Sequence, residues 1–216
     1  FGAIADHIRT DDGIPIYYPG TFSFQEQGTE IWGKMPPYDD QFYFIHMAYY
    51  FVKNNGGKKI LLRKIRGIKL IDRLEIAFHV PPSHAGNGIV YTTSAFRGVD
   101  FGFRDAERIT GDLCLSSILK FRASHELAAL FDMLGDKSKS VKYHFIAERI
   151  QKALPRLFAD ERGMLRASTG ESHQADVWST ALSVYFGILK GKDQQYACYA
   201  LVHAYKKGVL AFKGNI

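Results

Sequence analysis

Two adjacent carboxylates, Asp39 and Asp40, follow the segment Pro36-Pro37-Tyr38 and precede a strongly apolar run. Only one of two neighbouring carboxylates can occupy the cap position of a helix. The other is available as a charge partner, or as an acid or base. The two prolines restrict the backbone that aims the pair. Asp39 and Asp40 are therefore the first candidates for acid–base chemistry.

A second charged group lies in the segment 95–112, which reads AFRGVDFGFRDAERITGD. Its candidate site residues are Arg97, Asp100, Phe101, Arg104 and Asp105. A structural ion-pair cluster explains these charges about as well as catalysis does. Catalysis is favoured by the need of acid–base chemistry for two carboxyl groups across a cavity, which this segment and the helix starting at Asp39 could supply jointly. Either Asp100 or Asp105 could supply the second one.

Aromatic and polar residues that could contact a sugar accompany these acids. They are Trp32, Tyr38, His173, Gln174, Asp176 and Trp178. Aromatic faces stack on the apolar faces of sugars, but they also fill cores, and a core position is an equal interpretation of Trp178. Helix capping explains Asp112, and Asp176 to a lesser degree, without catalysis.

Other chemistries have little support in the sequence. There is no GxxxxGK[ST], GxGxxG, HExxH or GxSxG motif, and the eight histidines lack metal-ligand spacing. We therefore expect no metal and no cofactor. The two cysteines, Cys114 and Cys198, are too few for a disulfide framework, and both are interpreted as core thiols.

Six apolar-periodic segments, separated by Gly, Asn, Asp and Lys, are predicted to form three helical hairpins. The predicted pairs are 39–53 with 58–78, 111–134 with 137–153, and 174–189 with 192–206. The first member of each pair is apolar on most of its circumference, whereas the second is amphipathic. An all-α fold with inner and outer helices follows. The long connections 83–104 and 159–173 lie at one end, and the first contains a short β-hairpin or extended loop.

The chain carries a net charge of +6 with a pI of about 9.2, and its basic residues concentrate between positions 53 and 73. Apolar residues between them recur at helical spacing, which predicts a solvated outer face and no nucleic-acid partner. An acidic polysaccharide is compatible with the same charge. No apolar run reaches the roughly 18 residues of a membrane span, so no membrane partner is expected. Localisation stays open.

Three strings resemble the six-hairpin glycosidase superfamily, the (α/α)6 toroid clan that includes α-L-rhamnosidases and unsaturated glucuronyl hydrolases. They are MPPYDDQFYFIHMAYYFVK, RGVDFGFRDAERITGDLCLSSILKFRASHELAALF and QADVWSTALSVYFGIL. The resemblance implies glycoside hydrolysis by a carboxylate acid and base, most often with inversion, on a carbohydrate substrate. It places the inner-helix acid at Asp39 or Asp40 and the loop acid at Asp100 or Asp105.

A complete toroid has six hairpins, whereas residues 1–216 supply three. We therefore expect one incomplete toroid domain, roughly half of the ring, completed by missing segments or by self-association. Two alternatives stay open. A sugar epimerase would place His46 across a pocket from His125 or His173, and a non-catalytic carbohydrate-binding or scaffold protein would show aromatic platforms without opposed carboxylates.

Overall fold

The computed structural model describes residues 8–9, 15–16, 38–55, 57–92 and 109–209. Within this part there are six α-helices: α1 Asp39–Asn55, α2 Leu70–His79, α3 Cys114–Leu134, α4 Lys137–Phe158, α5 Val177–Tyr185 and α6 Gly191–Lys206. Three antiparallel strand pairs accompany them: β1 Ile8–Arg9 with β2 Pro15–Ile16, β3 Lys64–Ile65 with β4 Ile68–Lys69, and β5 Tyr91–Thr92 with β6 Gly111–Asp112. The expectation of an all-α fold is confirmed. None of the described helices has the length and apolar character needed to cross a membrane.

Helix α3 lies at the centre and is buried along most of its length, because apolar and small side chains surround its axis. Helix α1 packs on it in the same direction. Tyr43 lies beside Arg122, and His46, one turn further on, contacts Glu126, one turn further along α3. Helix α4 returns after Gly135 and buries one face, which carries Tyr143, Ala147, Ile150, Leu154 and Phe158. The spacing of these five residues is that of a single amphipathic stripe.

The predicted helix 58–78 is wrong over its first half. The chain forms a 3-10 helix, Lys58–Leu62, then the β3–β4 hairpin, and becomes α-helical only at Leu70. Arg66 and Gly67 form the two-residue turn with φ of 50° and 83°, a left-handed pair that a helix cannot contain. Exposed basic residues thus lie on a hairpin, while Arg73 is buried and donates from Nε and Nη2 to the carbonyl of Ile65.

Two other helix ends differ from the prediction. Helix α4 continues past Pro155 to Phe158, since its last turn is closed by the Ala159 N–H on the Pro155 carbonyl and by burial of Phe158. Helix α5 covers only part of 174–189 and is not buried on several sides: Trp178 is 49% exposed and Tyr185 is 80% exposed.

The two cysteines differ in burial. Cys114 is buried as expected, but Cys198 on α6 is exposed, so the interpretation of Cys198 as a core thiol is wrong.

The long connection before α3 begins and ends in paired strands. Tyr91 pairs with Asp112, and Thr92 pairs with Gly111, so the two flanks of this connection lie side by side. Most of the predicted β-hairpin, 93–108, lies outside the described residues. At the start of α3 the N–H groups of Leu113 and Cys114 donate to the carbonyls of Val90 and Ala167, at 2.8 and 3.0 Å. These backbone acceptors replace a side-chain cap.

Candidate functional site

The starts of α1, α3 and α5 lie at one end of the helical layer, called here the N-terminal end. The segment 165–167 joins two of them: Ala167 accepts the N–H of Cys114, and Leu165 accepts the N–H of Asp176 at 2.7 Å. Because α1 runs in the direction of α3, its first turn belongs to the same end. Side chains at helix starts and on the connecting loops can therefore share one surface.

Asp39 and Asp40 both occupy the first turn of α1 and point in different directions, about 100° apart on a helix. Asp39 is 4% exposed and Tyr38 before it is fully buried in the core, so both side chains are closed to a ligand in this structure. Asp40 keeps contact with solvent. The protein around this turn nevertheless removes enough water to raise the pKa of the Asp40 carboxyl from 3.8 to about 6.

A histidine–carboxylate pair lies beside the start of α3, with His84 in the loop before β5 and Asp112 on β6. His84 Nε2 donates to Asp112 Oδ1 at 2.7 Å, and the His84 ring stacks on Tyr91 with 4.6 Å between centroids. The interpretation of Asp112 as a helix cap is wrong, because Leu113 holds the cap position and makes no side-chain cap bond. The Asp112 carboxylate instead accepts from His84, and the backbone N–H of Asp112 donates to Thr169 Oγ1.

The loop before α5 carries the remaining described candidates. Asp176 caps α5, accepting from the Trp178 N–H at 3.1 Å and from the Ser179 hydroxyl at 2.6 Å. His173 and Gln174 are exposed, and His173 Nδ1 donates to the Gly170 carbonyl. Trp178 is half exposed at the start of the helix. Trp178 thus lies partly at the surface, and not in the core, at the N-terminal end.

Gly170 fixes this loop against the segment before α3. A Cβ at position 170 would lie 2.2 Å from the Thr110 carbonyl oxygen, and the N–H of Glu171 donates to Thr110 Oγ1 at 2.9 Å. We expect Gly170→Ala to lower the free energy of unfolding by about 1–3 kcal/mol, because backbone must move to admit the methyl group. Gly86→Ala is the control, since nothing lies within 4 Å of its Cβ position. Equal urea midpoints for the two variants would contradict this contact.

Six of the candidate residues lie outside the described residues. They are Trp32, Arg97, Asp100, Phe101, Arg104 and Asp105. The pairing of an acid from the first turn of α1 with an acid from the loop therefore stays a prediction. Among the described residues, no group of three or more His, Cys, Asp or Glu side chains could hold a metal ion.

The histidines of the epimerase alternative occupy separate environments. His46 donates to Glu126, His173 bonds to its own loop, and His125 packs on Phe121 and His144. Of these three, only His125 lines a described cavity, which lies beside α3. The described structure thus gives no observation that favours an opposed histidine pair.

The chain matches no model of a known protein family, and no curated protein shows significant sequence similarity to it. The resemblance to six-hairpin glycosidases therefore stays a prediction drawn from the three strings. The fold and the side chains at the N-terminal end are the basis on which a function can be assigned.

Several polar groups were not anticipated from the sequence. The pair His84–Asp112 and the contact of the buried Lys120 with Ser83 join separate elements, whereas Arg122 and Glu126 lie four residues apart on the same helix, α3. One signal was present for α3: charged residues at 120, 122 and 126 interrupt an otherwise apolar helix. Charges on a helix that must be buried require partners, and they are worth examining for that reason.

Proposed function

We propose that the chain is part of a glycoside hydrolase, with Asp40 as the general acid that protonates the leaving oxygen. The observation that carries this proposal is a solvent-contacting carboxyl whose pKa is raised to about 6 at the first turn of a core-packed helix. A carboxyl with that pKa stays mostly protonated up to about pH 6 and can give up this proton in the transition state. Asp39 is buried and is therefore not proposed as the acid.

The base would come from the loop between β5 and β6, as Asp100 or Asp105. An inverting mechanism needs the two carboxyl groups roughly 6.5–9.5 Å apart, with a water molecule between the base and the sugar. The paired strands Tyr91–Thr92 and Gly111–Asp112 support this assignment, because they flank this segment and lie at the N-terminal end. Trp178 is the proposed stacking surface for one sugar ring.

The toroid is proposed on the same grounds. Helices α1 and α3 run in one direction, and α5 starts at the same end as α3, as inner helices of a ring do. The exposed aromatic side chains of α5 and α6, among them Tyr185, Tyr196 and Tyr199, are the surface on which a further hairpin would pack.

The test is a screen of the intact protein against aryl glycosides and neutral and uronic-acid oligosaccharides. We expect release of reducing sugar from at least one of them, with the anomer of the first product inverted when followed by proton NMR. Binding without turnover would favour the non-catalytic alternative. Interconversion of free sugars without bond cleavage would favour the epimerase.

A further inference from the structure

Two histidines from different helices lie side by side on the surface of the α3–α4 hairpin. The ring centroids of His125 on α3 and His144 on α4 are 5.6 Å apart, with 63° between the ring planes. Both residues are exposed, so a solute ion can reach them. They are 19 residues apart along the chain, a spacing that matches no metal-binding motif on one helix. Only the folding of the hairpin brings the two rings together.

The packing of this hairpin fixes the backbone positions of both histidines. Beside His144, Tyr143 is fully buried, and its ring stacks on Phe131 of α3 with 5.6 Å between the centroids. Beside His125, Ser124 is fully buried in the interior. The two imidazoles are thus held close together before a ligand arrives, which lowers the entropic cost of binding one between them.

The separation of the rings suits two imidazoles that share one metal ion. A metal about 2.0–2.1 Å from an imidazole nitrogen lies about 3.2 Å from the centre of that ring, so two rings on one metal have centroids at most about 6.4 Å apart. The 5.6 Å between the centroids of His125 and His144 is within this limit. The last torsion of a histidine side chain is broadly distributed, so rotation of the exposed rings can turn one nitrogen of each toward a common point.

The charges around the pair decide which cations it can hold. The Glu148 carboxylate, one turn after His144 on α4, favours positive charge at His125, whereas His144 and Lys190 oppose it. The fixed charges of Glu148 and Lys190 have opposite signs, so the affinity for a cation must come from the imidazole nitrogens. Nickel, copper and zinc ions bind such nitrogens, whereas magnesium and calcium ions require oxygen ligands. Among the described residues, no group of three or more His, Cys, Asp or Glu could hold a metal, so water must complete the coordination.

We propose that His125 and His144 form a two-histidine site for a divalent transition metal ion of the nickel, copper and zinc group. Each imidazole gives one nitrogen to the metal, and water molecules fill the remaining positions. A metal held in this way links α3 to α4 and stabilises the folded state, because the unfolded chain separates the two histidines. The site is independent of the proposed hydrolase, since neither histidine is assigned a role in hydrolysis.

The experiment is a calorimetric titration of the intact protein with NiCl2, and with MgCl2 as the comparison. We expect saturable nickel binding with a Kd below about 100 µM and no saturable magnesium binding. His125→Asn and His144→Asn should each weaken nickel binding at least about tenfold, because the remaining imidazole loses a second ligand held at high effective concentration. Paramagnetic broadening of amide NMR signals by nickel should centre on these two positions.

His203→Asn is the matched control. His203 is also an exposed histidine on a helix, α6, but its ring stacks on Tyr199 and not on a second histidine. The His203→Asn variant should bind nickel as the wild type does. The exposed Cys198 is present in every variant, so nickel bound by its thiol does not change the comparison.

Circular dichroism melts check that each variant is folded, which we expect because both substituted histidines are exposed. Absence of saturable nickel binding to the wild type up to about 1 mM would overturn the proposal. So would wild-type nickel affinity in folded His125→Asn or His144→Asn, an equal loss in His203→Asn, or magnesium binding as tight as that of nickel.

Discussion

Asp40→Asn is expected to lower kcat about 100- to 10,000-fold on glycosides with poor leaving groups, the range that general acid catalysis supplies. An amide cannot donate the proton that a carboxyl with a pKa of about 6 holds at the first turn of α1. The loss should be much smaller on 2,4-dinitrophenyl glycosides, because that leaving group departs without protonation. Steady-state kinetics on both substrate types measures the difference.

Asp193→Asn is the matched control for this variant. Asp193 is also an exposed acid in the first turn of a helix, α6, but we assign it no role in the chemistry. Wild-type kcat is expected for Asp193→Asn on both substrates. Equal loss in the two variants, or equal loss by Asp40→Asn on good and poor leaving groups, would exclude Asp40 as the general acid.

The Asp40 variant should also fold at least as well as the wild type at neutral pH. The pKa of Asp40 is higher in the folded chain than its ordinary 3.8, so between pH 3.8 and about 6 the folded state binds more protons than the unfolded state. The contribution of this carboxyl to stability therefore falls as pH rises through that window. A neutral amide removes the unfavourable term, and thermal melts at pH 7 check that activity is not lost through unfolding.

Lys120→Met is expected to stabilise the protein by about 1–3 kcal/mol at pH 6, the range seen when buried charges give way to apolar side chains. Lys120 is 2% exposed on α3; its Nζ donates to the Ser83 hydroxyl and lies 4.8 Å from the Phe78 ring centroid. Burial lowers the pKa of the Lys120 amine from 10.5 to about 7. Holding it protonated inside the fold therefore costs free energy, which methionine avoids.

The sign of the pH dependence follows from the same pKa. Between about pH 7 and 10.5 the unfolded chain binds the Lys120 proton and the folded chain does not, so wild-type stability gains from this group as pH rises. The advantage of Lys120→Met should be full below pH 7 and shrink above it. Urea unfolding at pH 6, 7.5 and 9 measures this difference.

The control Lys152→Met changes an exposed lysine on α4 and should shift the free energy of unfolding by less than about 0.5 kcal/mol. Destabilisation by Lys120→Met at all three pH values would contradict the assignment.

Helix type and order could be predicted from the sequence wherever apolar periodicity was long. Helix α4 is the clearest instance, since Tyr143, Ala147 and Ile150 recur at helical spacing and lie on its buried face. The prediction of one helix over 58–78 was wrong because its apolar residues recur at helical spacing, while the backbone turns at Arg66-Gly67. Local turn conformation overrides periodicity there.

Site chemistry was predictable only where neighbouring residues carry it. The adjacency of Asp39 and Asp40 marked a helix start, and the structure separates them into a buried and a solvent-contacting carboxyl. Asp112 shows the limit of this reasoning. Asp is common at helix starts, but strand pairing places Asp112 opposite Tyr91, and its carboxylate accepts a hydrogen bond from His84. Partners 28 residues apart along the chain cannot be inferred from local propensity.

The pH profile of kcat/KM for wild type and Asp40→Asn tests the role of Asp40 most directly. The wild-type profile on a glycoside with a poor leaving group should fall on its basic side with an apparent pKa near 6, as the Asp40 carboxyl loses its proton. In Asp40→Asn this fall should be absent, and the residual kcat/KM should stay constant over the same pH range. A basic limb that stays unchanged in Asp40→Asn would show that another group supplies the proton.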